Sequence, residues 1–261
     1  MRLRRRGRGG FTLIEILTSI AVMAILTAML GTMILTMGHT WQNARDRVNN
    51  FTKARAMLDM MDNDVQAGLF RPDLPAFPGG LTEFYTLRPG ISKTQPVRNI
   101  SAVGYQINTT SNVLQRSDQS YQWTPSAIAF GTSATFPTTG TARDTAPGVV
   151  GFQVVFEQAD GTLSTNTYNS SSTTNPTRAI GITLAVVDDQ TMLALSAANK
   201  VTTLSAALKD AVPSTPTGSV KAVWESYLNS ASMNWKSYPS GLGVGLKIFE
   251  RYVILPNATH E

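Results

Sequence analysis

From Phe11 to Gly38 the chain is almost wholly apolar, and Glu15 is its one charged residue. At about 1.5 Å rise per residue this run is roughly 42 Å long as a helix, enough to span a bilayer with some tilt. Beyond Gly38 the pattern changes. Val48, Phe51, Ala54, Leu58, Met61, Val65 and Leu69 recur at helical spacing, while Arg45, Asp46, Arg47, Lys53, Arg55, Asp59, Asp62 and Asp64 mostly fill the positions between. No proline precedes Pro72. One helix from about Phe11 to Ala67, roughly 85 Å long, is therefore predicted, with Gly31 and Gly38 as weak points that each cost up to about 1 kcal/mol against alanine. Its amphipathic second half needs a surface to pack on, most simply the chain's own sheet. Asp59, Asp62 and Asp64 read as a solvated helix face rather than a metal site, because Asp64 diverges from the face the other two share.

From Pro72 onward strand and turn signals take over. Strands are predicted at Leu81–Leu87, Ser101–Asn108, Val113–Arg116, Ala127–Phe130, Val149–Glu157, Thr162–Tyr168, Arg178–Val187 and Lys247–Leu255. Asp160-Gly161 between two of these runs is a hairpin signal. Ile180, Ile182, Leu184 and Val186 alternate with smaller residues. Thr132–Pro147 and Asn169–Pro176 are rich in Ser, Thr, Pro and Gly and read as surface loops. Residues 190–243 interrupt the strands. A helix is expected over Leu193–Val212 and a shorter one over Val220–Leu228, joined by the linker from Pro213 to Gly218. This insertion lies between two strands of one sheet and reads as a lid over the core. Trp224, Tyr227, Trp235 and Tyr238 make it the most aromatic part of the chain, which leaves a binding role open beside the structural one. The fold class expected is α+β, a long N-terminal helix on an antiparallel sheet body. The divisions are 1–10, 11–38, 39–70 and 71–261, with the insertion inside the last.

Charge changes the picture at one end only. The chain of 261 residues has a formal charge of +5. Arg2, Arg4, Arg5, Arg6 and Arg8 sit in the first ten residues with no acid; of the 22 basic residues 17 remain, against 17 acidic ones. The body is formally neutral, and a nucleic-acid partner, which calls for a basic patch on the folded domain, is not expected. The basic cluster before the apolar run predicts a cytoplasmic N-terminus, a single membrane pass and a body on the far side. An ordinary secretory signal fits poorly, because the apolar run is too long and the small residues Gly9 and Gly10 precede it.

Candidate chemistry is sparse. There is no cysteine, so disulfides and thiolate sites are excluded. The two histidines, His39 and His260, stand at the end of the apolar run and beside the C-terminus. Asp188-Asp189 is a carboxylate pair, but adjacent residues at a strand end point to opposite faces and more often cap a turn. No catalytic residues, metal or cofactor are expected.

Glu15 is the anomaly. A carboxylate near a bilayer centre costs about 2.5–3.5 kcal/mol, less near an interface. Either it lies among the headgroups and is solvated, or it meets a cation. The chain holds none nearby after Gly10. Scission between Gly10 and Phe11 would supply one, an α-amino group with an ordinary pKa near 8, about 6 Å along the axis from Glu15. The pair would form within one chain or between neighbours. Farther along, Ala21, Ala24, Ala28 and Gly31 recur at spacings of three and four, a smooth ridge that another helix could approach closely. Small residues are also common in any membrane helix, and the two readings stand side by side.

The order basic leader, Gly10, Phe11, Thr12, Leu13, Ile14, Glu15, apolar helix resembles the class III signal of type IV pilins and type II secretion pseudopilins. That resemblance implies cleavage after Gly10 by a membrane prepilin peptidase and N-methylation of Phe11. It also implies that Glu15 neutralises the amine of a neighbouring subunit during filament assembly. The body looks most like the J-type minor pseudopilin, at Ala56–Asp64, Val103–Ile107, Leu114–Arg116, Gly148–Phe156, Pro176–Ile180 and Ile248–Pro256. The insertion departs from that pattern. Pilin-like proteins of the Verru_Chthon gene cassette are a second resemblance, in leader and length. The expected role is thus a minor pseudopilin at the tip of a secretion pseudopilus, resident in the bacterial inner membrane with a periplasmic body and partnered by other pilin-like subunits. The alternatives are a minor pilin of a type IV pilus and a membrane-anchored surface-binding protein; an exported enzyme is least supported.

Overall fold

A computed structural model of the chain describes residues 12–70, 76, 82–88, 100–108, 113–121, 142–166, 168–169 and 175–255. The strand expected at Ala127–Phe130 lies outside the described residues. Helix α1 runs from Leu13 to Gln66 without a break at Gly31 or Gly38. The chain divides into two compact units, Met1–Asp46 and Arg47–Glu261. In the first unit the described part is α1 alone, and its side chains are exposed wherever they are described.

The second unit is the body. Its first sheet has four antiparallel strands in the order β1 (Glu83–Thr86), β2 (Ile100–Asn108), β3 (Val113–Tyr121) and β4 (Arg143–Pro147). Its second sheet has the order β6 (Leu163–Ser164), β5 (Val149–Gln158), β7 (Thr177–Val186) and β8 (Lys247–Ile254), again antiparallel. The antiparallel body therefore holds two sheets. The chain passes from β4 to β5 through Gly148 alone, at φ +87°, where a Cβ would lie 2.7 Å from the Val187 carbonyl oxygen. Only glycine takes that left-handed turn without strain.

The second sheet is covered on both faces, which is why β7 is buried from Ala179 to Val186. The larger residues of its alternation, Ile180, Ile182, Leu184 and Val186, join a core with Ala54, Met57, Leu58, Met61 and Val65 of α1. The amphipathic stripe thus starts at Ala54; Val48 and Phe51, expected in it, are 64% and 56% exposed. The opposite face carries α2 (Asp189–Ala197), α3 (Val201–Asp210) and α4 (Val220–Asn229), whose Leu195, Leu204, Leu208 and Trp224 pack on Val150, Val155, Ala185 and Val187. Small residues on that face let the helices come close: a Cβ on Gly151 would meet Leu208 and Trp224. A single turn at Trp235–Ser237 and the short α5 (Leu242–Gly245) complete the insertion. Its aromatic residues are mostly engaged in packing. Trp224 is 1% exposed and its indole donates to the Leu208 carbonyl at 2.7 Å, while Trp235 donates to Leu228 O at 3.1 Å.

Three local expectations are corrected. The helix expected over Leu193–Val212 is two, because Asn199 adopts φ 53° and the Lys200 N–H turns back to Leu195 O at 2.9 Å, closing α2 as a Schellman motif. The end of the expected loop Thr132–Pro147 is strand β4, drawn into the ladder by its pairing with Val113–Arg116. The strand expected over Thr162–Tyr168 shrinks to Leu163–Ser164, since the Thr165 N–H bonds instead to Ser214 O at 2.9 Å.

Candidate functional site: the N-terminal helix and its anchorage

The span from Leu13 to Gln42 is apolar and long enough to cross a membrane, with none of it buried in the structure. From Leu13 to Met37 fifteen large apolar side chains are each more than half exposed. Eleven of them are Leu, Ile or Val, worth together about 3–7 kcal/mol on an insertion scale of 0.3–0.6 each. One carboxylate at a bilayer centre would cost about 2.5–3.5 kcal/mol and less toward an interface. The apolar surface therefore outweighs Glu15, and the acid does not prevent insertion.

Glu15 occupies the third position of α1, and Thr12 directly precedes the helix. Thr-x-x-Glu is the spacing of a capping box, a signal the sequence reading missed. The Glu15 N–H bonds to Thr12 O at 3.1 Å, and its carbonyl accepts from Thr18 Oγ1 and Ser19 Oγ at 3.1 and 2.7 Å. Its carboxylate has no partner among the described residues, and the Glu15 N–H goes to the Thr12 carbonyl rather than its hydroxyl, so neither side-chain bond of such a box is made there. Gly10 and Phe11 lie outside the described residues.

Ala21, Ala24, Ala28 and Gly31 are all exposed on α1, and a Cβ on Gly31 would meet nothing within 4 Å. At 3.6 residues per turn these four positions fall roughly 160–240° around the axis from Glu15. The acid and the small-residue ridge thus occupy opposite faces. A single neighbouring helix cannot engage both.

The second half of α1 is held by charge as well as by the core, which the sequence reading did not foresee. Asp64 is 1% exposed, not solvated. It accepts from the Arg116 Nε–H at 2.7 Å and from the Tyr105 hydroxyl, and it lies 3.6 Å from Arg88 Nη1. Arg116 continues to buried Asp118 at 3.1 Å. Burial acts to lower the Arg116 pKa, but the hydrogen bond and charge of Asp64, with a lesser part from Tyr105, hold it above its ordinary value. Burial, then the charge of Asp64, pushes the Tyr105 phenol well above 10. On the next face Arg251 of β8 spans Asp59 and Asp62 at 2.6 and 3.2 Å. The three aspartates are therefore two ion clusters, one to each sheet. The signal available in sequence was the divergence of Asp64 from its companions, which implied a different environment without naming it.

With this geometry in view, residues 5–31 match the prokaryotic N-terminal methylation motif. No curated protein and no solved structure matches the chain. The chain thus carries a type IV pilin-like signal, and the matched span contains Gly10, Phe11, Glu15 and the small-residue ridge.

Proposed function

We propose that the chain is a minor pseudopilin, a structural subunit of a type II secretion pseudopilus that acts at its tip or in its initiation. A prepilin peptidase cuts after Gly10, Phe11 becomes the N-methylated terminus, and the helix carries the subunit from the inner membrane into the filament with its body in the periplasm. The observation that supports this is a methylation motif leading into an apolar helix whose described side chains are exposed and whose one carboxylate has no partner among the described residues.

The opposite placement of Glu15 and the small residues supports a division of contacts between two neighbours. Glu15 meets the new α-amino group of one neighbour, an ion pair that is strong in lipid because neither group has water. Ala21, Ala24, Ala28 and Gly31 receive a second neighbour at close range. The body contributes no catalytic step in this reading. Its charge balance agrees with a protein partner better than with nucleic acid.

Affinity purification of the tagged full chain from membranes of its native host tests the reading. Other processed pilin-like proteins should copurify with it, and a Glu15→Val variant should be cleaved normally yet lose them. Purification as a lone, correctly cleaved membrane protein would sink the subunit role and favour a surface-binding one.

A further inference from the structure

Among the described residues the second sheet has an unpaired stretch on one edge. Along β5 the neighbour β6 pairs only with Phe156 and Glu157, and the chain then peels away to bond Ser214. The Gln158 N–H points to the β6 side, where it meets Thr162 O at 2.9 Å. By the two-residue period of a strand, Val154 and Phe152 direct their N–H and C=O groups to that same side, where no strand pairs with them among the described residues. Their edge amides have no partner among the described residues. Among the described residues the Val154 carbonyl is met by the Gln153 side chain, whose Nε2 donates at 2.9 Å.

This edge is the floor of a half-open groove of about 770 Å³. Thr202, Ser205, Lys209 and Asp210 of α3 form one wall, and Ile107 and Asn166 stand among its other lining residues. Lys209 and Asp210 are exposed and have no ionic partner among the described residues. From Gly151 to Val154 the open stretch is about 13 Å long, the reach of four residues of a strand. An open sheet edge is a template for another chain, and folded proteins usually block it with charge, proline or a covering element. Among the described residues one glutamine side chain covers one carbonyl of this edge.

We propose that the β5 edge takes up an extended segment of a different protein chain as an added strand. Main-chain bonds to Phe152 and Val154 supply the register. The two unpaired charges on the wall select a segment carrying an acidic side chain opposite Lys209 and a basic one opposite Asp210. This site is independent of the helix, and its test does not depend on processing or filament assembly.

The probe is a synthetic peptide, acetyl-Thr-Val-Glu-Val-Lys-Val-Thr-amide, titrated into the full chain in detergent micelles. Amide hydrogen exchange is followed at Phe152 and Val154. The peptide should slow exchange at both, and the same peptide N-methylated at alternate amides should not. Gln153→Ala frees the Val154 carbonyl and should tighten binding by about fivefold, the equivalent of one hydrogen bond. Lys209→Glu should weaken it by about threefold or more through repulsion of the acidic side chain. Unchanged exchange up to about 1 mM peptide, or equal binding of the N-methylated form, overturns the proposal. So does protection that grows with protein concentration without peptide, since a second copy would then be the occupant.

Discussion

The two parts of α1 share a backbone conformation and little else. Before Asp46 its apolar side chains face outward, and among the described residues nothing in the chain covers them. After Arg47 the same helix buries Ala54, Met57, Leu58, Met61 and Val65 in the body and pairs Asp64 with Arg116. Helix formation is satisfied by local hydrogen bonds in both parts. What differs is where the side chains find their partners, inside the molecule or beyond it. A carboxylate shows this well. Asp64 meets an arginine and a phenol in its own fold, whereas Glu15 meets neither among the described residues.

The sharpest way to break this contrast is at the leader. Gly10→Ala should abolish processing, leaving the arginine-rich start on the full-length product while body stability is unchanged; intact mass spectrometry reads the first, thermal unfolding the second. A mature mass in that variant would remove the source of the proposed cation. Glu15→Val comes next. Copurifying pilin-like subunits should fall by about tenfold or more, as expected when an ion pair in low dielectric is lost, with no change in the unfolding midpoint.

Asp64→Leu should do the reverse. Removing Asp64 takes from Arg116 the nearer of its two buried carboxylates and costs about 3 kcal/mol, read as a lower urea midpoint with cleavage unaffected. The triple replacement of Asp64, Arg116 and Asp118 by leucine should recover much of that loss, because it removes the whole buried cluster. Alkali gives a smaller effect of known sign. Burial pushes the Tyr252 phenol up to about 12 and Tyr105 well above its ordinary value, while unfolded phenols ionise near 10. The stability held by these protonated phenols is complete below pH 10 and is lost as pH rises through 10 toward 12. A urea midpoint flat across that interval would contradict the burial of both rings. Smallest of all, Arg251→Ala breaks a partly exposed cluster and should cost about 1 kcal/mol or less; a larger loss would make Asp59 and Asp62 as structural as Asp64.

Much of the architecture was visible in pattern alone. β5, β7 and β8 lie within a residue or so of their predicted limits because their apolar alternation is strong on the buried faces. The β4 segment, Arg143 to Pro147, has no such pattern; it is a strand because β3 offers it a ladder. The division of α2 from α3 depends on one asparagine taking a left-handed conformation, a choice between two acceptable local states that packing resolves. Val48 and Phe51 continue the helical spacing of the stripe, yet both stay more than half exposed and Phe51 touches the body only at the edge of the Phe249 ring; spacing cannot report where a core ends.

The linear order of residues was enough to establish the basic leader, the Gly-Phe-x-x-x-Glu spacing, the apolar span and the α+β class, because each depends on neighbours a few positions apart. Three features needed the folded chain: the burial of Asp64 beside Arg116, the packing of the insertion on the second sheet, and the open edge at Val154. Each joins groups dozens of residues apart in the chain, and no local preference determines which distant surface a given side chain or strand edge will meet.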